Sequence, residues 1–166
     1  MIKKKICMLG SFAVGKTSLV QQYVSSIFSE KYHTTIGVKI DKKTVTIDGQ
    51  EVNLMLWDIH GEDEYQHIQA SYLIGAAGYF IVIDGTRSNT LEVGQSIHAF
   101  TVDKIGHKPF IVLINKSDLV DDWAIEDYQI EELQQKGWEV IRTSAKTGEG
   151  VEQAFLNLTT KLLDSK

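Results

Sequence analysis

Gly10, four intervening residues and then Gly15-Lys16-Thr17 follow directly on the apolar run Ile2 to Leu9. A β-strand is therefore expected to feed straight into a glycine-bounded loop and then a helix opening at Thr17 and running to Ile27. In that context a G-x4-G-K-T segment turns backbone N–H groups and a helix N-terminus toward an anion. Lys16 then reaches toward a phosphate chain, and the Thr17 hydroxyl suits Mg2+. The alternative, a glycine turn that binds nothing, is disfavoured by GKT standing immediately after a strand.

The remaining chain supports α/β construction, because short β-rich runs alternate with helical patterns. Val38 to Ile47 (VKIDKKTVTI) and Glu51 to Trp57 (EVNLMLW) flank Asp48-Gly49, a dipeptide suited to a tight hairpin, so one antiparallel pair is expected. Tyr79 to Asp84 (YFIVID) and Phe110 to Asn115 (FIVLIN) read as central parallel strands apolar on both faces, and Trp138 to Arg142 as a further strand. Helical patterns lie near Leu91 to Ile105, Trp123 to Lys136 and Val151 to Leu163. Lys39, Lys42 and Lys43 on the hairpin read as edge charges that discourage sheet-to-sheet association.

With 166 residues, 43% apolar and 23% charged, one domain spanning 1–166 is expected, and disordered and fibrous classes are excluded. A net charge of −5 lacks the basic surplus of a protein that binds nucleic acid by phosphate neutralisation, so no nucleic-acid partner is expected. Cys7 is the one cysteine, set in the apolar stretch ICML as a small core residue, which leaves no disulfide or cysteine-based metal site. The run from Leu73 to Ile83 is too short to span a bilayer, and MIKKK is not a signal peptide, so a cytoplasmic protein is expected.

A phosphate loop does not choose a base. Asn115-Lys116-Ser117-Asp118 sits where FIVLIN ends, at the carboxyl edge of the expected sheet, where open α/β folds bind ligands. A carboxylate there can accept from both the N1–H and the exocyclic amine of guanine. Adenine offers neither, so Asp118 is the natural discriminator.

At this point the sequence resembles the Ras-like small GTPases over nearly its whole length. The motifs appear in order as GSFAVGKT, Thr35 within YHTTIG, DIHG at Asp58 to Gly61, NKSD at Asn115 to Asp118, and TSAK at Thr143 to Lys146. TTIGV and LMLWD are most similar to the Rab branch. The resemblance implies a phosphate-loop G domain: a six-stranded, mostly parallel sheet with one antiparallel edge strand and helices on both faces. It also implies a switch that binds GTP and GDP with Mg2+, works as a monomer, and meets effectors or regulators through segments 30–38 and 59–72.

The site residues carried over by that resemblance are Ser11, Phe12, Ala13, Val14, Gly15, Lys16, Thr17 and Ser18 for phosphate, with Tyr32 and Thr35 also nucleotide-binding. Phe28, Asn115, Lys116, Asp118, Ser144, Ala145 and Lys146 would surround the nucleoside, Phe28 edge-on to guanine and the Ala145 N–H toward its O6. Thr17, Thr35 and Asp58 would serve Mg2+, Asp58 through water. Lys16, Thr35, Gly61 and Glu62 would serve the reaction, with Thr35 and Gly61 engaging only a γ-phosphate.

Two positions depart from the family pattern. Phe12 stands where a small residue is usual, and it either points out over the site, in the path of an incoming arginine, or packs against the second switch segment. Glu62 stands where glutamine usually orients the attacking water. An ionised Glu62 facing the γ-phosphate is either repelled into solvent, leaving hydrolysis slow, or carries a raised pKa and accepts the water's proton. HGEDEY adds Asp63 and Glu64 on a segment where partners read the nucleotide state. The two arginines, Arg87 and Arg142, lie outside the switch segments, so no internal arginine finger is expected.

The segment TTKLLDSK has no cysteine for prenylation and Met1-Ile2 excludes myristoylation, so no lipid anchor is evident in this chain: either the protein works in solution or an anchoring tail lies beyond this sequence. A GTPase switch with slow or atypical hydrolysis therefore competes with a pseudo-GTPase that binds nucleotide without turnover. A phosphate-loop ATPase or small-molecule kinase is disfavoured by NKSD, TSAK and the lack of a lid segment.

Overall fold

In the computed structural model, which describes residues 2–26, 28, 38–59 and 68–164, the described residues form six strands and four α-helices. In chain order these are β1 (Ile2–Gly10), α1 (Lys16–Ser25), β2 (Val38–Ile47), β3 (Gln50–Ile59), β4 (Gly78–Asp84), α2 (Asn89–Ile105), β5 (Phe110–Asn115), α3 (Asp127–Gln135), β6 (Val140–Arg142) and α4 (Val151–Asp164). The strands make one sheet in the order β2-β3-β1-β4-β5-β6. Only the β2–β3 pair is antiparallel.

The antiparallel pair follows from its turn. Asp48 and Gly49 both adopt positive φ, 50° and 78°, the backbone of a tight turn whose twist matches the strands it joins. Register then sets Ile47 opposite Gln50 and Val38 opposite Ile59.

Alternation along the strands divides the core between the two faces of the sheet. Ile6, Met8, Leu54, Leu56, Phe80 and Leu113 point to one face and pack with Leu19 and Tyr23 of α1 and Phe155 and Leu158 of α4. Cys7, Leu9, Tyr79, Ile81 and Ile114 point to the other, where they meet Leu91 and Ile97 of α2 and Leu133 of α3. Tyr23 and Phe155 stack with ring centroids 3.8 Å apart, tying α1 to α4. Cys7 is the buried core residue its setting implied, and burial pushes its thiol up to about 12. No helix among the described residues is long and apolar enough to cross a membrane.

Element ends differ from the sequence expectation by a few residues, most at α3. That helix begins at Asp127 rather than near Trp123, because Glu126 and Gln129 form a reciprocal capping box. Lys43 also departs from the edge-charge expectation. Its Nζ donates to the Tyr23 carbonyl at 2.6 Å and sits 3.9 Å from the Tyr23 ring centroid, so it fastens β2 to α1.

Candidate nucleotide site at the carboxyl edge of the sheet

Five parallel strands end at one edge, and each delivers a polar residue there: Ser11 beyond β1, Asp58 from β3, Asp84 from β4, Asn115 from β5 and Thr143 and Ser144 beyond β6. Between β1 and α1 the loop closes so tightly that a Cβ on Gly15, whose φ is 103°, would lie 2.2 Å from Asn115 Nδ2. Only glycine fits. A glycine N-cap offers α1 no side-chain oxygen, and the first turn carries no acidic residue, so the positive end of the helix is left for an anion.

Asn115 joins the loop to the far side of the site. Its Nδ2 donates to the Val14 carbonyl at 3.0 Å, while its Oδ1 accepts from the Thr143 hydroxyl at 3.1 Å and the Ala145 N–H at 3.3 Å. All three bonds are buried. The Ser144 hydroxyl donates to Asp118 Oδ1 at 2.8 Å and so orients the carboxylate expected to read the base. Gln22 of α1 donates to the Ala145 carbonyl at 2.9 Å, fixing the same turn from below.

Lys16 is only 6% exposed, and its Nζ donates to the Ser11 carbonyl at 3.1 Å and the Gly10 carbonyl at 3.4 Å. Burial pushes its ammonium down to about 8; Asp58 opposes that shift and Arg87 adds to it. A buried cation at a helix N-terminus is a place that favours phosphate. One residue on, the Thr17 hydroxyl donates to Asp58 Oδ2 at 2.5 Å, and Asp58 is buried at the end of β3. A hydroxyl and a carboxylate held together are hard oxygen donors, which fits Mg2+.

Asp84, 1% exposed, was not anticipated. Its Oδ2 lies 2.8 Å from Lys116 Nζ and 2.9 Å from Arg87 Nε, while its Oδ1 accepts from the Thr86 N–H and hydroxyl. Burial alone would raise its pKa, but the bonds from Lys116, Thr86 and Arg87 outweigh burial and hold it below the usual carboxylate range. Lys116 also donates to the Ala13 carbonyl at 3.3 Å, and Arg87 Nη2 to the Phe12 carbonyl at 2.7 Å. The signal in the sequence was a carboxylate closing the buried run YFIVID at the ligand-binding edge of a central strand.

The structure thus assembles Ser11 through Ser18 with Asp58, Asn115, Lys116, Asp118, Ser144 and Ala145. Phe12 is half-buried, Lys146 is exposed, and Phe28 stands 37% exposed just beyond α1. Tyr32, Thr35, Gly61 and Glu62, like Asp63 and Glu64, lie outside the described residues.

The model of the Ras family matches residues 5–164. The chain belongs to the Ras family. It is 36% identical to Ras-related protein Rab-32C of Dictyostelium discoideum, covering 99% of this chain and 75% of that protein. Identity is 32% with Ras-related protein RABA4a of Arabidopsis thaliana, over 96% of this chain and 72% of the relative. With GTP-binding protein ypt1 of Schizosaccharomyces pombe (strain 972) it is 31%, over 95% and 79%. This Ras-family chain therefore falls in the Rab branch, and its sheet, five strands parallel and one antiparallel, is the phosphate-loop GTPase fold.

Proposed function

We propose that this Ras-family chain is an Mg2+-dependent guanine-nucleotide switch whose GTP hydrolysis is slow. The observation that carries the reading is Asn115, which bonds Val14 of the phosphate loop and Ala145 of the base-reading turn at once. That side chain makes one rigid body of two half-sites, as a ligand with a phosphate chain at one end and a base at the other requires.

The chain's own residues divide the work. Lys16 and the loop N–H groups neutralise the phosphates. Asp118, oriented by Ser144, accepts from the guanine N1–H and exocyclic amine, and the Ala145 N–H meets O6. The Lys116 stem lies along the base while its amino group stays on Asp84 and Ala13. Thr17, Asp58 and Thr35 would hold Mg2+, which when bound neutralises charge on the β- and γ-phosphates. Thr35 and Gly61 engage the γ-phosphate, so its loss releases segments 30–38 and 59–72 to which effectors and regulators bind.

Slow turnover follows from Phe12 and Glu62. Arg87 is held on the Phe12 carbonyl and on Asp84, so it is committed to the loop backbone rather than to the transition state. The same two residues favour a second reading, in which the chain binds nucleotide and never cleaves it. The chain is proposed to act as a cytoplasmic monomer.

Chromatography of nucleotide released from the denatured, purified chain tests the reading, followed by competition titrations with GTP, ATP and XTP. The expected ligand is guanine nucleotide, with ATP weaker on the order of 10⁴-fold, as for sites whose buried polar groups would be left unpaired. Asp118→Asn should weaken GTP and admit XTP, whose C2 carbonyl can accept from the new amide. Equal ATP and GTP affinity in the parent overturns the assignment. GTP recovered intact after prolonged incubation with Mg2+ selects the second reading.

A further inference from the structure

We infer that Arg87 is a positioning residue of the phosphate loop, which together with Lys116 holds Ala13 in a left-handed conformation that alanine alone does not favour. The inference rests on the nucleotide site proposed above and adds to it a residue with no assigned role.

The argument starts from Ala13, whose φ is 61°. A side chain at that φ is strained, because Cβ crowds the neighbouring peptide oxygens. The peptide plane that rotates with φ of Ala13 carries the Phe12 carbonyl, and the plane that rotates with its ψ carries the Ala13 carbonyl. Arg87 Nη2 grips the first at 2.7 Å and Lys116 Nζ the second at 3.3 Å. Both soft dihedrals of the strained residue are thus held by a cation.

The two cations share one anchor. Asp84 Oδ2 is 2.9 Å from Arg87 Nε and 2.8 Å from Lys116 Nζ, and the carboxylate is buried at the end of β4. Thr90, inside α2, accepts from the Asp84 N–H at 3.0 Å and donates to the Arg87 carbonyl at 2.7 Å, so the segment carrying Arg87 is tied to the same strand end. Because a trans peptide sets N–H opposite to C=O, drawing the Phe12 carbonyl toward Arg87 turns the Ala13 N–H the other way. The clamp thereby fixes the orientation of a loop N–H before any anion arrives. Arginine suits the position because its planar fork can donate from Nε to Asp84 and from Nη2 to Phe12 together, which an ammonium cannot do in the same geometry.

If Arg87 compensates for strain at position 13, its value must depend on the residue there. Glycine at 13 adopts positive φ without help. The test is release of N-methylanthraniloyl-GDP, with Mg2+, from five chains: parent, Arg87→Met, Arg87→Lys, Ala13→Gly and the Arg87→Met, Ala13→Gly double variant. Arg87→Met should speed release about tenfold in the parent background, the change associated with losing one charge-assisted hydrogen bond. In the Ala13→Gly background it should change release less than about twofold, a non-additivity that a merely structural arginine would not produce. Arg87→Lys should fall between parent and Arg87→Met. Thermal midpoints of the five chains without nucleotide report any general destabilisation separately. Equal acceleration in both backgrounds, or none in either, overturns the inference while leaving the nucleotide site standing. A parent that does not bind the labelled GDP overturns the site itself.

Discussion

The Thr17 hydroxyl donates to Asp58 Oδ2 at 2.5 Å, joining the first turn of α1 to the carboxyl end of β3. If this pair serves Mg2+, Thr17→Asn removes one of its two hard oxygen donors. Metal affinity should fall by at least about 10- to 100-fold, the loss typical even for groups one shell further out. EDTA should then accelerate nucleotide release in the parent and much less in the variant. Equal EDTA sensitivity in both would remove Thr17 from the metal site.

Asn115→Ala should cost stability as well as affinity, since it strands the Val14 carbonyl, the Thr143 hydroxyl and the Ala145 N–H in a buried position. About 3 kcal/mol is expected, with the free groups relaxing partly. Asn115→Asp keeps the two accepted bonds but sets a buried carboxylate oxygen against the Val14 carbonyl, so it should cost at least as much. Urea unfolding without nucleotide gives both values; a midpoint unchanged by Asn115→Ala would show that the bonds carry no net stability.

His98 links stability to pH. It lies in an aromatic cluster, 4.2 Å from the Phe110 ring centroid and 4.6 Å from that of Trp138, with Nδ1 2.8 Å from the Tyr79 hydroxyl. Burial holds its pKa below the usual histidine value, with His107 and Lys136 adding to the depression. The unfolded chain therefore takes up this proton at higher pH than the folded one. The stability it contributes is complete above the ordinary histidine range and is lost as pH falls through that range toward the depressed folded value. Between pH 7.5 and 5.5 the parent should lose more thermal stability than His98→Gln, and parallel losses would contradict the assignment.

Phe12 and Glu62 should limit turnover together. Phe12→Gly opens a path for an external arginine but leaves a glutamate where a neutral water-orienting amide is usual. Phe12→Gly with Glu62→Gln should therefore hydrolyse GTP faster than either single variant, and the gap should widen with a Rab-type activating protein. Single-turnover hydrolysis measures it. A parent as fast as the double variant would mean that the two residues form a working alternative site.

What could be read from residue order was whatever local chemistry dictates. Glycine at 15 and the Asp48-Gly49 turn are demanded by backbone dihedrals and close approach, and the runs FIVLIN and YFIVI announce strands buried on both faces. The phosphate loop and Asp118 stood out because their residue types and spacing carry the chemistry within a few positions, whereas Asn115 came only with the NKSD motif and its bonds to Val14, Thr143 and Ala145 only with the fold. Trp123 misled the α3 boundary because its ring is held elsewhere, so close to Gly85 that an added Cβ would come within 2.0 Å of it. Only the folded chain revealed Arg87 on the Phe12 carbonyl, 75 residues away, and Gln22 on the Ala145 carbonyl, 123 residues away. Those pairings depend on the order β2-β3-β1-β4-β5-β6, which brings the ends of β1, β4, β5 and β6 to one edge. Periodicity and turn chemistry act over one or two turns of chain, whereas the neighbours of a strand end are set by crossovers that leave no mark in the residues they join.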